Sequence, residues 1–135
     1  MASIAEIRKE YRQAGLSETD VDPDAIEQFS RWWTEAVSAE LEEVNAMTLA
    51  TASQDGIPSA RIVLLKGFDK NGFLFFTNYN SYKGRQLAEN PRACIVFFWK
   101  ELERQVRITG LVFKVSEKES DDYYNSRPEG SRIGA

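Results

Sequence analysis

Apolar spacing changes character near residue 45. Before that point hydrophobic positions recur every three to four residues. Ile26, Phe29, Trp33, Ala36 or Val37, and Leu41 fall on one stripe, which predicts a helix running to about Glu43. Asp22 followed by Pro23 reads as its N-cap and first helical position. Upstream, Ser3 with Glu6 reads as a capping box that opens a short helix to about Ala14, before Gly15. "LSETDVDPD" is a polar connector between the two.

The middle of the chain has strand character. "AMTLATAS" predicts a strand, "QDG" a turn, and "PSARIVLLKGF" a second strand. "DKNG" is a strong hairpin signal, and "FLFFTN" follows as a third strand. "NSYKGRQLAENP" reads as a short helix capped by Ser81 and stopped near Pro91. "ACIVFFW" and "RQVRITGLVFKV" complete five strands, the last bent at Gly110. Ser116 with Glu119 forms another capping box, opening a helix through "DDYYNSR" to Pro128. Five strands joined mostly by short turns, with helices at the flanks, predict an α+β protein, mainly β, built on a small antiparallel barrel. One domain over residues 1–135 is expected: helices to residue 45, strands over 46–115, and a helix beginning at 116.

Composition narrows the function. Hydrophobic residues make up 42% and charged residues 28%, a globular balance that can fill a core. The net charge of −4 argues against a dedicated nucleic-acid binder but leaves room for a local basic pocket. No apolar run has the length of a membrane span, and "MASIAEIRKEY" has no signal-peptide core, so a cytoplasmic protein is expected. Cys94 is the sole cysteine, and there is no histidine. Ser-His-Asp and Cys-His machinery and a HExxH zinc site are therefore excluded within this sequence. If the chain is an enzyme, a bound organic cofactor is expected to carry the chemistry.

Four clusters can bind ligands. In "RIVLLK", strand alternation puts Arg61, Val63 and Leu65 on one face and Ile62, Leu64 and Lys66 on the other. The two cations then serve two different groups, or each pairs with a surface carboxylate. In "SYKGRQ", Ser81 as N-cap and Lys83 in the first turn resemble an anion site, against a simple solvated helix start. In "YYNSRPEGS", Tyr123 and Arg127 share a helical face and Ser131 follows, a set suited to clamping phosphate or to an exposed helix end. In "ELERQVRI", Gln105 offers an amide that can both donate to and accept from a heterocycle edge.

"IRKEY", "RIVLLK", "FFTN", "LERQVR" and "YYNSRPEGSRIGA" together, in this order and spacing, resemble the pyridoxine/pyridoxamine 5′-phosphate oxidase family over essentially all 135 residues. The resemblance implies an FMN-binding split β-barrel that is incomplete at the C-terminus. It implies a homodimer with FMN at the subunit interface. It also implies oxidation of pyridoxamine or pyridoxine 5′-phosphate to pyridoxal 5′-phosphate, with O2 as acceptor and H2O2 as product. By similarity, Arg61, Ile62, Val63, Leu64, Leu65 and Lys66 line the FMN site, with Phe76, Thr77, Lys83 and Gln105 as further contacts. Lys66, Tyr123, Arg127 and Ser131 match the clamp on the substrate's 5′-phosphate, and Arg8, Lys9, Glu10 and Tyr11 match a segment that closes over the substrate.

Two departures stand out. Tyr82 occupies a position where the family often has arginine, with Arg85 one turn on as a partial replacement. The sequence stops at "SRIGA", where the family continues with further strands carrying an Arg-x-His motif. The alternatives to the oxidase are a truncated form that binds FMN or pyridoxal phosphate without turnover, and another flavin split-barrel oxidoreductase.

Overall fold

The structure is a computed structural model that describes residues 3–8, 10, 15–77 and 81–115. The chain divides into two compact units: Met1–Val44 with Trp99–Gln105, and Asn45–Phe98 with Val106–Ala135. Its regular structure is a mainly antiparallel set of strands with two α-helices.

In the first unit, the predicted helix exists as α1, Ala25–Ser38. Its cap is Asp24 rather than Asp22. The Asp24 carboxylate accepts from the Ile26 and Glu27 amides at 2.9 and 3.3 Å. Asp22 is engaged one step earlier: its Oδ1 accepts from the Asp24 amide at 2.8 Å and its Oδ2 pairs with Arg31 at 3.0 Å. Pro23 therefore precedes the helix instead of opening it. The helix also ends five residues before Glu43. Glu40 and Glu43 take left-handed φ values of 57° and 45°, which an α-helix cannot contain. Of the expected stripe, Phe29 and Ala36 are buried while Val37 is exposed, so the stripe runs through Ala36.

The Ser3 motif forms only a 3-10 turn, Ile4–Glu6, with the Ser3 amide donating to Glu6 at 3.0 Å. Ile7 is already extended. Ile4 and Ile7 are both exposed, so neither helps to hold a longer helix; residues 9 and 11–14 of the expected helix lie outside the described residues. A second 3-10 turn, Glu18–Asp20, punctuates the connector.

Aromatic side chains form the core of this unit. Phe29 lies 5.9 Å from Trp99 and 6.1 Å from Trp33, between ring centroids, and Trp33 lies 6.2 Å from Trp99. Buried Trp99 satisfies its indole N–H by donating to the Val44 carbonyl at 3.0 Å. Arg104 sits 4.5 Å above the Trp32 ring and pairs with Glu35.

A four-stranded sheet runs in the order β2-β1-β5-β6, with β1 at Ala46–Ala52, β2 at Pro58–Leu64, β5 at Arg92–Trp99 and β6 at Arg104–Leu111. β1 pairs antiparallel with both neighbours. Met47, Leu49 and Thr51 of β1 are buried with Ile95 and Phe97 of β5, as period-two alternation requires. The "QDG" turn leads from β1 to β2, where Gly56 at φ +88° takes a conformation that a side chain would strain.

"PSARIVLLKGF" is two strands rather than one. The Leu65 amide bonds to the Asn45 carbonyl at 2.8 Å, but the Lys66 amide bonds to Leu74 at 2.8 Å. The chain changes pairing partner between these residues and enters a separate hairpin, β3 Gly67–Asp69 with β4 Gly72–Leu74. The third strand is correspondingly shorter than "FLFFTN". The second helix, α2, spans Tyr82–Glu89 with Ser81 as its cap, as expected. Among the described residues the four-stranded sheet is open, with β2 and β6 at its edges. The helix expected from residue 116 lies outside the described residues.

Candidate functional site

Within the second unit, β1, β2 and α2 meet around one guanidinium. Arg61 sits opposite Leu49 in the β1–β2 register, and Ser59 sits opposite Thr51. Parity turns Ser59, Arg61 and Val63 inward, while Ile62 and Leu64 face outward. Arg61 Nη1 donates to the Leu49 carbonyl at 3.1 Å and to Thr51 Oγ1 at 2.7 Å. Its Nη2 donates to Gln86 Oε1 at 3.4 Å.

The remaining bonds then have only one direction. Thr51 accepts from Arg61 and donates to Gln86 Oε1 at 2.5 Å, and Gln86 Nε2 donates to Ser59 Oγ at 3.3 Å. Thr51 and Gln86 are buried, at 4% and 3% exposure, so they hold Arg61 away from bulk water.

Every one of these acceptors is neutral. Among the described residues no carboxylate pairs with Arg61, so its charge is uncompensated there. A guanidinium has five N–H groups. Three contacts to protein oxygens leave capacity for an anion.

α2 contributes the second half of the site. The Ser81 hydroxyl accepts from the Gly84 amide at 3.1 Å, and Thr77 Oγ1 lies 3.4 Å from Ser81 Oγ. Lys83 is half-buried and has no partner among the described residues. It lies three residues before Gln86 and therefore on the same helical side as the residue that touches Arg61. The N-terminal end of a helix adds partial positive charge. Two cations and a helix start on one side suit a doubly charged oxyanion such as a phosphate monoester.

The other expected residues are distributed as follows. Val63 is half-buried and Leu65 buried, while Lys66 is exposed, like Ile62 and Leu64. Arg61 is half-buried on β2, whereas Lys66 lies beyond β2 after the change of pairing partner, so the β2 alternation does not extend to it. Phe76 and Thr77 are half-buried ahead of α2. Gln105 is the exposed second residue of β6, and it belongs to the first unit with exposed Arg8 and Glu10. Lys9, Tyr11, Tyr123, Arg127 and Ser131 lie outside the described residues. Ser59, Thr51 and Gln86 were not singled out from sequence. Their signal was faint: Thr51 shares the buried parity of Met47 and Leu49, and Gln86 falls one turn after Lys83. Among the described residues no group of His, Cys, Asp or Glu is placed to hold a metal ion, and no helix is long and apolar enough to cross a membrane.

Comparison with known proteins bears on this site. A family model described as pyridoxamine 5′-phosphate oxidase matches residues 33–135, well over half of the chain. A pyridoxine/pyridoxamine 5′-phosphate oxidase from Nostoc sp. is 62% identical over 98% of the chain, which spans 62% of that relative's length. Among solved structures, PhzG from Burkholderia lata, in complex with tetrahydrophenazine-1-carboxylic acid, is similar with a TM-score of 0.80. It shares 33% identity over 85% of this chain and 57% of that one. An FMN-binding, pyridoxamine 5′-phosphate oxidase-related protein from Nostoc punctiforme shares the fold, with a TM-score of 0.66 at 19% identity, covering 78% of this chain and 61% of that one. The chain belongs to the pyridoxamine 5′-phosphate oxidase family.

Proposed function

We propose that this chain binds FMN through its phosphate at Arg61 and Lys83, and serves the oxidation of pyridoxamine or pyridoxine 5′-phosphate to pyridoxal 5′-phosphate. O2 is the acceptor and H2O2 the second product. The observation that carries the reading is the half-buried guanidinium of Arg61, held among the described residues by neutral oxygens alone, beside the helix that bears Lys83. Family membership supports FMN as the anion's owner, and the similarity to an FMN-binding protein fits the same fold.

The residues present fit the group. Arg61, Lys83 and the start of α2 would hold its phosphate, and Thr77 and Gln105 would contact the remainder. Bound FMN would supply the hydride acceptor, which no amino-acid side chain provides. The chain's own task is positioning. Lys66, Tyr123, Arg127 and Ser131 would grip the substrate's phosphate, remote from the reacting carbon, so that binding energy fixes the ring's orientation. Arg8, Lys9, Glu10 and Tyr11 would close over the substrate and exclude water. A split barrel incomplete at the C-terminus, a homodimer with FMN at its interface and a cytoplasmic location belong to the same proposal.

Activity is tested by incubating the purified protein with FMN and pyridoxamine 5′-phosphate and following pyridoxal 5′-phosphate and peroxide together. Equimolar formation of both is expected. Arg127→Ala should raise KM at least about tenfold with a smaller change in kcat, as loss of one charged phosphate contact requires. FMN binding without turnover would replace the oxidase with a non-catalytic flavin binder.

A further inference from the structure

Gln86 is buried, touches Arg61, and belongs to neither the cofactor contacts nor the substrate clamp expected from the sequence. Its position calls for a group that accepts two hydrogen bonds on one atom, from Thr51 and Arg61, and meets Ser59 with the other. A glutamate satisfies all of this equally well. Two carboxylate oxygens can accept from Thr51, Arg61 and the Ser59 hydroxyl, which is able to reverse its role and donate. It would also neutralise Arg61 through a charge-assisted bond. Hydrogen bonding alone therefore does not explain an amide here.

We propose that Gln86 is a positioning residue whose neutrality is the functional property: it fixes the Arg61 guanidinium while leaving its positive charge available to a phosphate. The other contacts agree. Leu49 offers a carbonyl and Thr51 a hydroxyl, so each anchor of Arg61 is uncharged. Gln86 also fastens α2 to β1 and β2, which fixes Lys83 one helical turn away in relation to Arg61. One buried amide thus acts with Leu49 and Thr51 in orienting Arg61 while leaving its charge unpaired. The inference rests on the proposal that Arg61 receives the FMN phosphate.

The test compares the wild-type protein with Gln86→Glu and Gln86→Met. FMN and riboflavin, which lacks the phosphate, are titrated by flavin fluorescence, and melting temperatures are recorded without ligand. Gln86→Glu should lower FMN affinity at least about tenfold and riboflavin affinity less than about threefold, since a charged hydrogen bond carries about one to two powers of ten. Gln86→Met leaves the charge but removes the anchor. It should melt lowest of the three and yet keep more of the FMN preference than Gln86→Glu. A purely structural role predicts the reverse, with FMN affinity following melting temperature and Gln86→Met binding worst. If the wild type prefers FMN and Gln86→Glu keeps that preference, the proposal for Gln86 is overturned while the FMN site stands. If the wild type binds FMN and riboflavin equally, the phosphate site itself is wrong and Gln86 falls with it.

Discussion

Thr51→Val removes the hub of the buried network while keeping the shape of the side chain. The hydroxyl accepts from Arg61 at 2.7 Å and donates to Gln86 at 2.5 Å, at 4% exposure. A hydrogen bond to a charged group contributes about 1.5–3 kcal/mol and a neutral one about 1 kcal/mol. The full sum is not expected. Arg61 Nη1 keeps the Leu49 carbonyl at 3.1 Å, and Gln86 Oε1 keeps Arg61 Nη2 at 3.4 Å. Neither partner is left wholly unsatisfied, which puts the loss near 2 kcal/mol. For a chain of this length, each kcal/mol moves the melting temperature by roughly 3–5 °C, so Thr51→Val should melt about 6–10 °C lower. Thr51→Ser keeps both bonds and loses one buried methyl, at about 1 kcal/mol. Urea denaturation of the three proteins should give midpoints in the order wild type, serine, valine, with equal slopes. A valine variant as stable as the serine variant would show that the network does not hold β1, β2 and α2 together.

Other consequences follow from particular positions. Glu40 has a left-handed φ of 57° just after the C-cap of α1, so Glu40→Gly should leave stability unchanged or raise it by up to about 1 kcal/mol, read from the urea midpoint; a loss would mean the side chain makes a needed contact. Trp99→Phe removes the indole donor to Val44 and thins the contact with Phe29 and Trp33, and should cost about 2 kcal/mol by the same assay. Lys83→Ala should weaken FMN more than riboflavin, by about tenfold, with little change in melting temperature because Lys83 has no protein partner among the described residues.

Much of the strand region was legible because local chemistry decides it. The "DKNG" hairpin closes at Gly72, the turn at Gly56 needs its glycine, and Ser81 caps α2 as its hydroxyl allows. Within β2, alternation correctly separated half-buried Arg61 and Val63 from exposed Ile62 and Leu64. What alternation cannot show is a change of partner. Leu65 bonds to Asn45 and Lys66 to Leu74, and no local pattern marks that division. Helix ends failed for a related reason. Asp22 and Asp24 are equally good caps by type, but Asp24 takes the Ile26 and Glu27 amides while Asp22 takes the Asp24 amide and Arg31. The anchors of Arg61 were illegible because Thr51, Ser59 and Gln86 are unremarkable polar residues until three elements bring them together.

The most direct test of the account is the FMN preference of the protein measured with and without Arg61. FMN and riboflavin are titrated against the wild type and Arg61→Met, so that effects common to both flavins cancel. The wild type is expected to bind FMN at least about 100-fold more tightly, and Arg61→Met to lose about 10- to 100-fold of that preference, the range for a charged contact to phosphate. An unchanged preference in Arg61→Met would contradict the assignment of Arg61 to the phosphate.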